Sequence, residues 1–222
     1  MIIVQPDNST TLILLIITYA MLFVGGASFI QLATIGVLSV GTIGIFILNE
    51  KNYALGRILS FIDPASSASV GYQSNQALIG LKQGGLSGMG IGESIQKYSY
   101  LPETHTDFIF AIIGEEMGFI TGVILMIAYY IIFYRAVQIS KKSNDIFGIM
   151  LSIGFGLSIT IYAFINIGVV IGVIPVTGVP LPFISYGGSS LIINLMMIAI
   201  LLNISKAQRR LNVKKWRLRV NA

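Results

Sequence analysis

The segment Leu101-Pro102-Glu103-Thr104-His105-Thr106-Asp107 puts the chain's sole histidine between two acids, directly before an apolar run that opens at Phe108. A carboxylate at such a junction does one of two things. It accepts backbone amide hydrogen bonds at a helix start, or it serves as a general base toward a hydroxyl presented at the edge of an apolar phase. Two further acids, Glu115 and Glu116, lie inside the run. At that depth in a membrane a charged side chain costs a few kcal/mol unless it is neutralised, paired or turned toward a wet cavity. Asp107 and Glu115 are eight residues apart, about 80° around a helix, whereas Glu116 falls about 180° from Asp107. On this register Asp107 and Glu115 line one cavity; a buried hydrogen-bonding clamp between helices is the equal alternative for the two glutamates.

Two other stretches carry unusual backbone. Gly84-Gly85 ends a short helix expected over 71–82, and the glycines continue at Gly88, Gly90 and Gly92. This run reads either as a flexible surface loop or as backbone amides approaching a phosphate, and the strand and helix flanks of a phosphate loop are missing. Further on, residues 175–188 hold three prolines and three glycines in fourteen positions and no charge. No continuous helix survives that composition, and irregular backbone at membrane depth is tolerated only when packed in protein or lining a cavity. Ser185 and Tyr186 lie in this segment. Without a G-x-S-x-G pattern, its serines are not credible hydrolase nucleophiles. Zero cysteines exclude disulfides, thiol nucleophiles and thiolate metal sites.

The elements that must position these residues follow from composition. With 55% hydrophobic and 10% charged residues and a mean hydropathy of +0.83, the chain needs lipid as solvent. Apolar stretches at about 10–24, 28–48, 108–134, 146–174 and 189–203 approach the length that crosses a bilayer, so an all-α, polytopic membrane helical bundle of about five spans in a single domain, 1–222, is expected. No basic n-region or cleavage site precedes the first run, so it does not read as a signal peptide. Of fourteen Lys and Arg, three follow the third span and seven lie in the tail 204–222, which marks those ends as cytoplasmic. The long loop 49–106 and the broken segment then face outward. The basic clusters adjoin spans, with Trp216 beside them, and so speak for anionic headgroups rather than nucleic acid.

These motifs make the chain similar to the C-terminal half of the SEDS family, the shape, elongation, division and sporulation proteins (FtsW, RodA and SpoVE) of bacteria. Gln5-Pro6-Asp7 resembles the family's QPDLGT motif, departing at Asn8-Ser9. Tyr72-Gln73, Gln76 and the run from Gly84 to Gly92 resemble its YQ…QS…GSGGLFGKGLG stretch, with Lys82-Gln83 in place of Gly-Ser. The most specific pieces are the stretch from Leu101 through Asp107 to Phe110 and the Pro175-Val-Thr-Gly-Val-Pro-Leu-Pro-Phe-Ile-Ser-Tyr-Gly-Gly-Ser189 stretch. Gln96 to Pro102 and Ile113 to Glu116 look more like the FtsW branch than the RodA branch.

The resemblance implies a glycosyltransferase of the bacterial cytoplasmic (inner) membrane that polymerises lipid II on its outer face. Undecaprenyl diphosphate would leave, and a class B penicillin-binding protein would act as transpeptidase partner within the divisome or elongasome. Carried over residue by residue, Asp107 is the expected base, with His105 and Glu103 tuning it and burial near Glu115 raising its pKa. Lys97 and Arg57 are candidates for the leaving diphosphate, with snorkelling or headgroup contact the bland alternative for each, and Ser185 and Tyr186 are supporting candidates. A divalent cation (Mg or Mn) is compatible with this chemistry, although no ligand cluster specifies one. Two other readings stay beside it: a flippase for lipid-linked precursor, using the broken segment as pathway, and a non-catalytic fragment that needs its N-terminal half.

Overall fold

The computed structural model describes residues 8–49, 70–99, 105–143 and 145–220. The expectations for Gln5-Pro6-Asp7, Arg57 and Glu103 fall outside these residues. Every regular element described is a helix: α1 (Asn8–Val24), α2 (Phe29–Asn49), α3 (Val70–Gly84), α4 (Ile95–Ser99), α5 (Ile109–Lys142), α6 (Ile146–Val170) and α7 (Gly188–Val220). By length and composition, α5, α6 and residues 188–208 of α7 can each cross a membrane, and 9–24 and 29–39 are shorter apolar helical stretches.

Side-chain chemistry explains the ends. Asp145 caps α6 by accepting the amide of Gly148 at 3.2 Å; the helix ends at Val170, four residues before the expected 174, and Gly172, with φ of +75°, turns the chain away from it. α3 runs from Val70 to Gly84, slightly beyond the expected 71–82, and Gly85 leaves it with φ of +53°. α5 outlasts its apolar stretch, ending at Lys142 rather than near 134, because Arg135, Lys141 and Lys142 remain good helix formers beyond the apolar phase. α7 continues through its basic tail for the same reason.

α5 packs along α6 and carries α3 on another face; α1 lies against α6, and α7 touches both long helices. Tyr19 of α1 donates its hydroxyl to the carbonyl of Leu32 in α2. The buried cluster joins Phe108, Phe110 and Ile112 of the α5 start to Ala163, Ile167 and Val170 of the α6 end and to Leu181 beyond it. The tightest packing therefore lies at the end of the bundle where the broken segment and the Asp107 turn meet. Elsewhere α5 and α7 leave apolar side chains such as Ile124, Ile131, Ile192 and Leu195 exposed, as helices facing hydrocarbon do.

α5 is not continuous. At Gly118 the backbone adopts φ +80°, ψ 177°, a region open essentially to glycine alone, and the helical ladder is cut. The glycine loop after α3 repairs it. Met89 and Gly90 donate their amides to the carbonyls of Glu115 and Glu116 at 3.0 Å each, while Phe119 and Ile120 donate to the carbonyls of Gly85 and Leu86 at 2.9 and 3.4 Å. Such repair is obligatory where no water reaches. A Cβ on Gly84 would collide with the carbonyl oxygen of Gly114, one on Gly88 with that of Glu116, and one on Gly118 with the amide of Gly88. The glycine run is thus docked rather than loose: Gly84 and Gly88 permit backbone to lie directly on backbone, while a Cβ on Gly85 or Gly92 would meet no neighbouring atom.

Candidate functional site

Residues 105–108 form a turn that delivers the chain into α5. The capping position falls to Phe108, one residue later than the sequence suggests, and has no side-chain cap bond. Three consecutive carbonyls of the turn are taken by other elements. His105 O accepts the amide of Tyr186 at 2.8 Å, Thr106 O accepts the hydroxyl of Ser185 at 2.5 Å, and Asp107 O accepts the side-chain amide of Asn166 at 2.7 Å. Asp107 itself is partly buried, and a side chain on Gly178, where φ is +71°, would stand 3.6 Å from its Oδ2. The turn and the broken segment therefore face one another across the Asp107 carboxyl.

The broken segment is itself held in place. Ser185 is only 8% exposed, and its hydroxyl also accepts the amide of Leu181 at 2.7 Å, closing a compact turn. Tyr129, buried in α5, donates to the carbonyl of Pro182 at 2.6 Å. Between them Phe183 takes φ of +68°, a strained conformation for an aromatic residue costing on the order of 1–3 kcal/mol. Ser185 thus acts as a cross-brace, while Tyr186 presents its ring outward, 83% exposed. His105 is exposed beside Tyr186, and Lys97 is partly buried at the end of α4.

Glu115 behaves differently from the shared-cavity expectation. It is 0% exposed, and its carboxyl accepts the Ser94 hydroxyl at 2.5 Å and the amides of Ile95 and Gln96 at 3.0 and 3.4 Å. Ser94 in turn accepts the amide of Lys97 at 3.0 Å, so two side chains together cap the start of α4. The 80° register assumed a helix continuous from Asp107, whereas α5 begins at Ile109. A cavity of about 180 Å³ does lie along α5, but its walls include Leu81, Phe110, Phe119, Met126 and Ile167, and neither Asp107 nor Glu115 lines it. Among the described residues no group of three or more His, Asp or Glu side chains that could hold a metal ion is found.

Residues 1–210 match the model of a family described as "Cell cycle protein", that of FtsW, RodA and SpoVE. The chain belongs to this family. Stage V sporulation protein E of Bacillus subtilis (strain 168) is 40% identical over 210 residues, covering 94% of this chain and 57% of that protein. The probable peptidoglycan glycosyltransferase FtsW of Buchnera aphidicola subsp. Acyrthosiphon pisum (strain APS) is 42% identical over 208 residues, covering 92% of this chain and 52% of that protein. A solved structure described as "Structural coordination of polymerization and crosslinking by a peptidoglycan synthase complex" superposes with a TM-score of 0.70 at 25% identity, over 92% of this chain and 57% of that one. The chain thus spans a little over half the length of these relatives. With only helices among the described elements and three of them long and apolar enough to cross a membrane, it is a multi-pass helical membrane protein.

One residue of the site escaped the sequence reading. Asn166 sits in α6, far from the motif stretches, and is 2% exposed. The reasoning applied to Glu115, that a polar group deep in an apolar helix must have a partner, singles it out equally.

Proposed function

We propose that this chain supplies the base-bearing outer wall of a peptidoglycan glycosyltransferase that polymerises lipid II. The observation that carries the reading is the fastening of His105, Thr106 and Asp107, carbonyl by carbonyl, to Tyr186, Ser185 and Asn166. A carboxyl so held, where a membrane helix begins, meets a sugar whose lipid anchor stays in the bilayer.

In the reaction the 4-hydroxyl oxygen of the acceptor sugar forms a bond to the anomeric carbon of the donor. The bond from that carbon to the diphosphate oxygen breaks, and undecaprenyl diphosphate leaves with the electron pair. Asp107 takes the hydroxyl proton, a contribution of about 10²- to 10⁴-fold. Its pinned backbone keeps the carboxyl from swinging away, which preserves attack geometry. Lys97 and Arg57 are the side chains we assign to the leaving diphosphate, and His105, Glu103 and Tyr186 to the acceptor approach. Loop 49–106 and residues 175–186 face the outside of the cytoplasmic membrane, where a class B penicillin-binding protein of the divisome or elongasome crosslinks the product. The relatives' printed names and the basic residues of the α5–α6 connection and the tail support this orientation and role.

Labelled lipid II is supplied to the purified chain in liposomes, with and without a co-expressed N-terminal half of a relative. Glycan product that disappears in Asp107→Asn while the protein stays folded is the expected result. Precursor translocation without any product, unaffected by Asp107→Asn, overturns the reading in favour of a flippase. No product in either format, from folded protein, overturns it in favour of a non-catalytic fragment.

A further inference from the structure

We propose that Asn166 is a positioning residue for Asp107, a role that rests on the polymerase reading above. Its Nδ2 donates one proton to the carbonyl of Asp107 and the other to the carbonyl of Val179, both at 2.7 Å. A single side chain of α6 thereby fixes the Asp107 turn and the broken segment at once, across separations of 59 and 13 residues. The amide orientation is unambiguous, since the flipped form would set an oxygen against two carbonyl oxygens.

The cost of this arrangement is visible. Asn166 Oδ1 is buried and, among the described residues, finds no hydrogen-bond partner. A buried polar atom without a partner is tolerated where the rest of the group does something that packing alone would not require. An apolar residue of similar volume would fill the space beside Ala163, Ile167 and Val170 without that penalty, but it would release both carbonyls. The two walls on either side of the carboxyl, one carrying Asp107 and the other Gly178 and Val179, are bridged at this point by the Asn166 amide, beside the Tyr186 and Ser185 bonds to His105 and Thr106.

Asn166→Asp keeps the shape but cannot hold both carbonyls, having one donor when protonated and none when ionised; Asn166→Gln keeps both donors on a longer arm. Ser152→Ala, which removes the buried Ser152 to Gly148 hydrogen bond of the same helix, is the control for simple loss of stability. The chain lacks cysteine, so a His105→Cys/Tyr186→Cys pair, placed where Tyr186 N meets His105 O, reports wall spacing by disulfide formation without background. Expected for Asn166→Asp are slower cross-linking and a kcat lowered on the order of 10²-fold with KM little changed, partly recovered in Asn166→Gln and absent in Ser152→Ala. Cross-linking and kcat at wild-type levels in Asn166→Asp overturn the proposal, as does an equal kcat loss in Ser152→Ala. Should the unsubstituted chain polymerise nothing while cross-linking still depends on Asn166, the polymerase reading is what fails and the bridging geometry stands.

Discussion

The Glu115 carboxyl and the Ser94 hydroxyl meet at 2.5 Å, joining the second turn of a membrane-length helix to the start of the five-residue α4. Because the same carboxyl accepts two amides of α4, the loop that leads to Asp107 starts from a fixed point in α5. Glu115→Gln keeps an acceptor oxygen but sets an NH2 group against donors. We expect a loss of about 1–3 kcal/mol, read as a lower melting temperature in detergent. Glu115→Leu leaves Ser94 and both amides unpaired and should lose more. A Glu115→Leu variant that melts with the unsubstituted chain would remove the clamp assignment.

Asp107→Asn preserves shape and the backbone bond to Asn166 while abolishing basicity. Polymerisation should fall at least about 10²-fold with the melting temperature unchanged. Activity within a few-fold of the parent would take the base elsewhere.

Tyr129→Phe deletes one hydroxyl that donates to Pro182, at the foot of the strained Phe183. The expected cost is about 1 kcal/mol in stability. Proteolysis should localise the effect, with cleavage within residues 175–187 accelerated and cleavage elsewhere unaltered.

Ser185→Ala separates a structural serine from a nucleophile. It leaves the Leu181 amide and one bond to Thr106 unmade, for about 1–3 kcal/mol of stability. Residual polymerisation at a temperature where the variant is folded is expected, since no covalent chemistry passes through the hydroxyl.

Gly118→Ala tests the repaired break in α5. Its Cβ must enter the space of the Gly88 amide, and its φ of +80° is hostile to alanine, so folding yield in membranes should collapse. Gly122→Ala, one turn on, where the Cβ would meet only the ring of Phe110 at 3.2 Å, should be far milder. Equal behaviour of the two variants would contradict the backbone docking.

Much of this arrangement was legible in the sequence, for reasons that differ by element. Hydropathy located α5, α6 and α7 because a lipid-facing helix has to be apolar on the outside, and prolines at 175, 180 and 182 announced the broken segment by chemistry no helix can absorb. The docking of the glycine loop on Gly118 left no comparable trace. A glycine inside an apolar run reads as helix, and backbone-to-backbone bonds carry no side-chain signature. The Asp107 to Glu115 register failed since it took the helix to run on from Asp107, when tertiary bonds to Tyr186, Ser185 and Asn166 hold residues 105–108 as a turn and α5 begins at Ile109. Asn166 was overlooked although its solitude in an apolar helix was readable.

The repaired break also constrains how the protein is made. Gly118 lies nine residues into α5, roughly 14 Å, so until residues 85–90 dock, this segment holds open carbonyls and amides at hydrocarbon depth. The docking residues are synthesised before α5. Loop and helix complete each other's backbone pairing, and the first turns of α5 are not satisfied in hydrocarbon until the loop is in place.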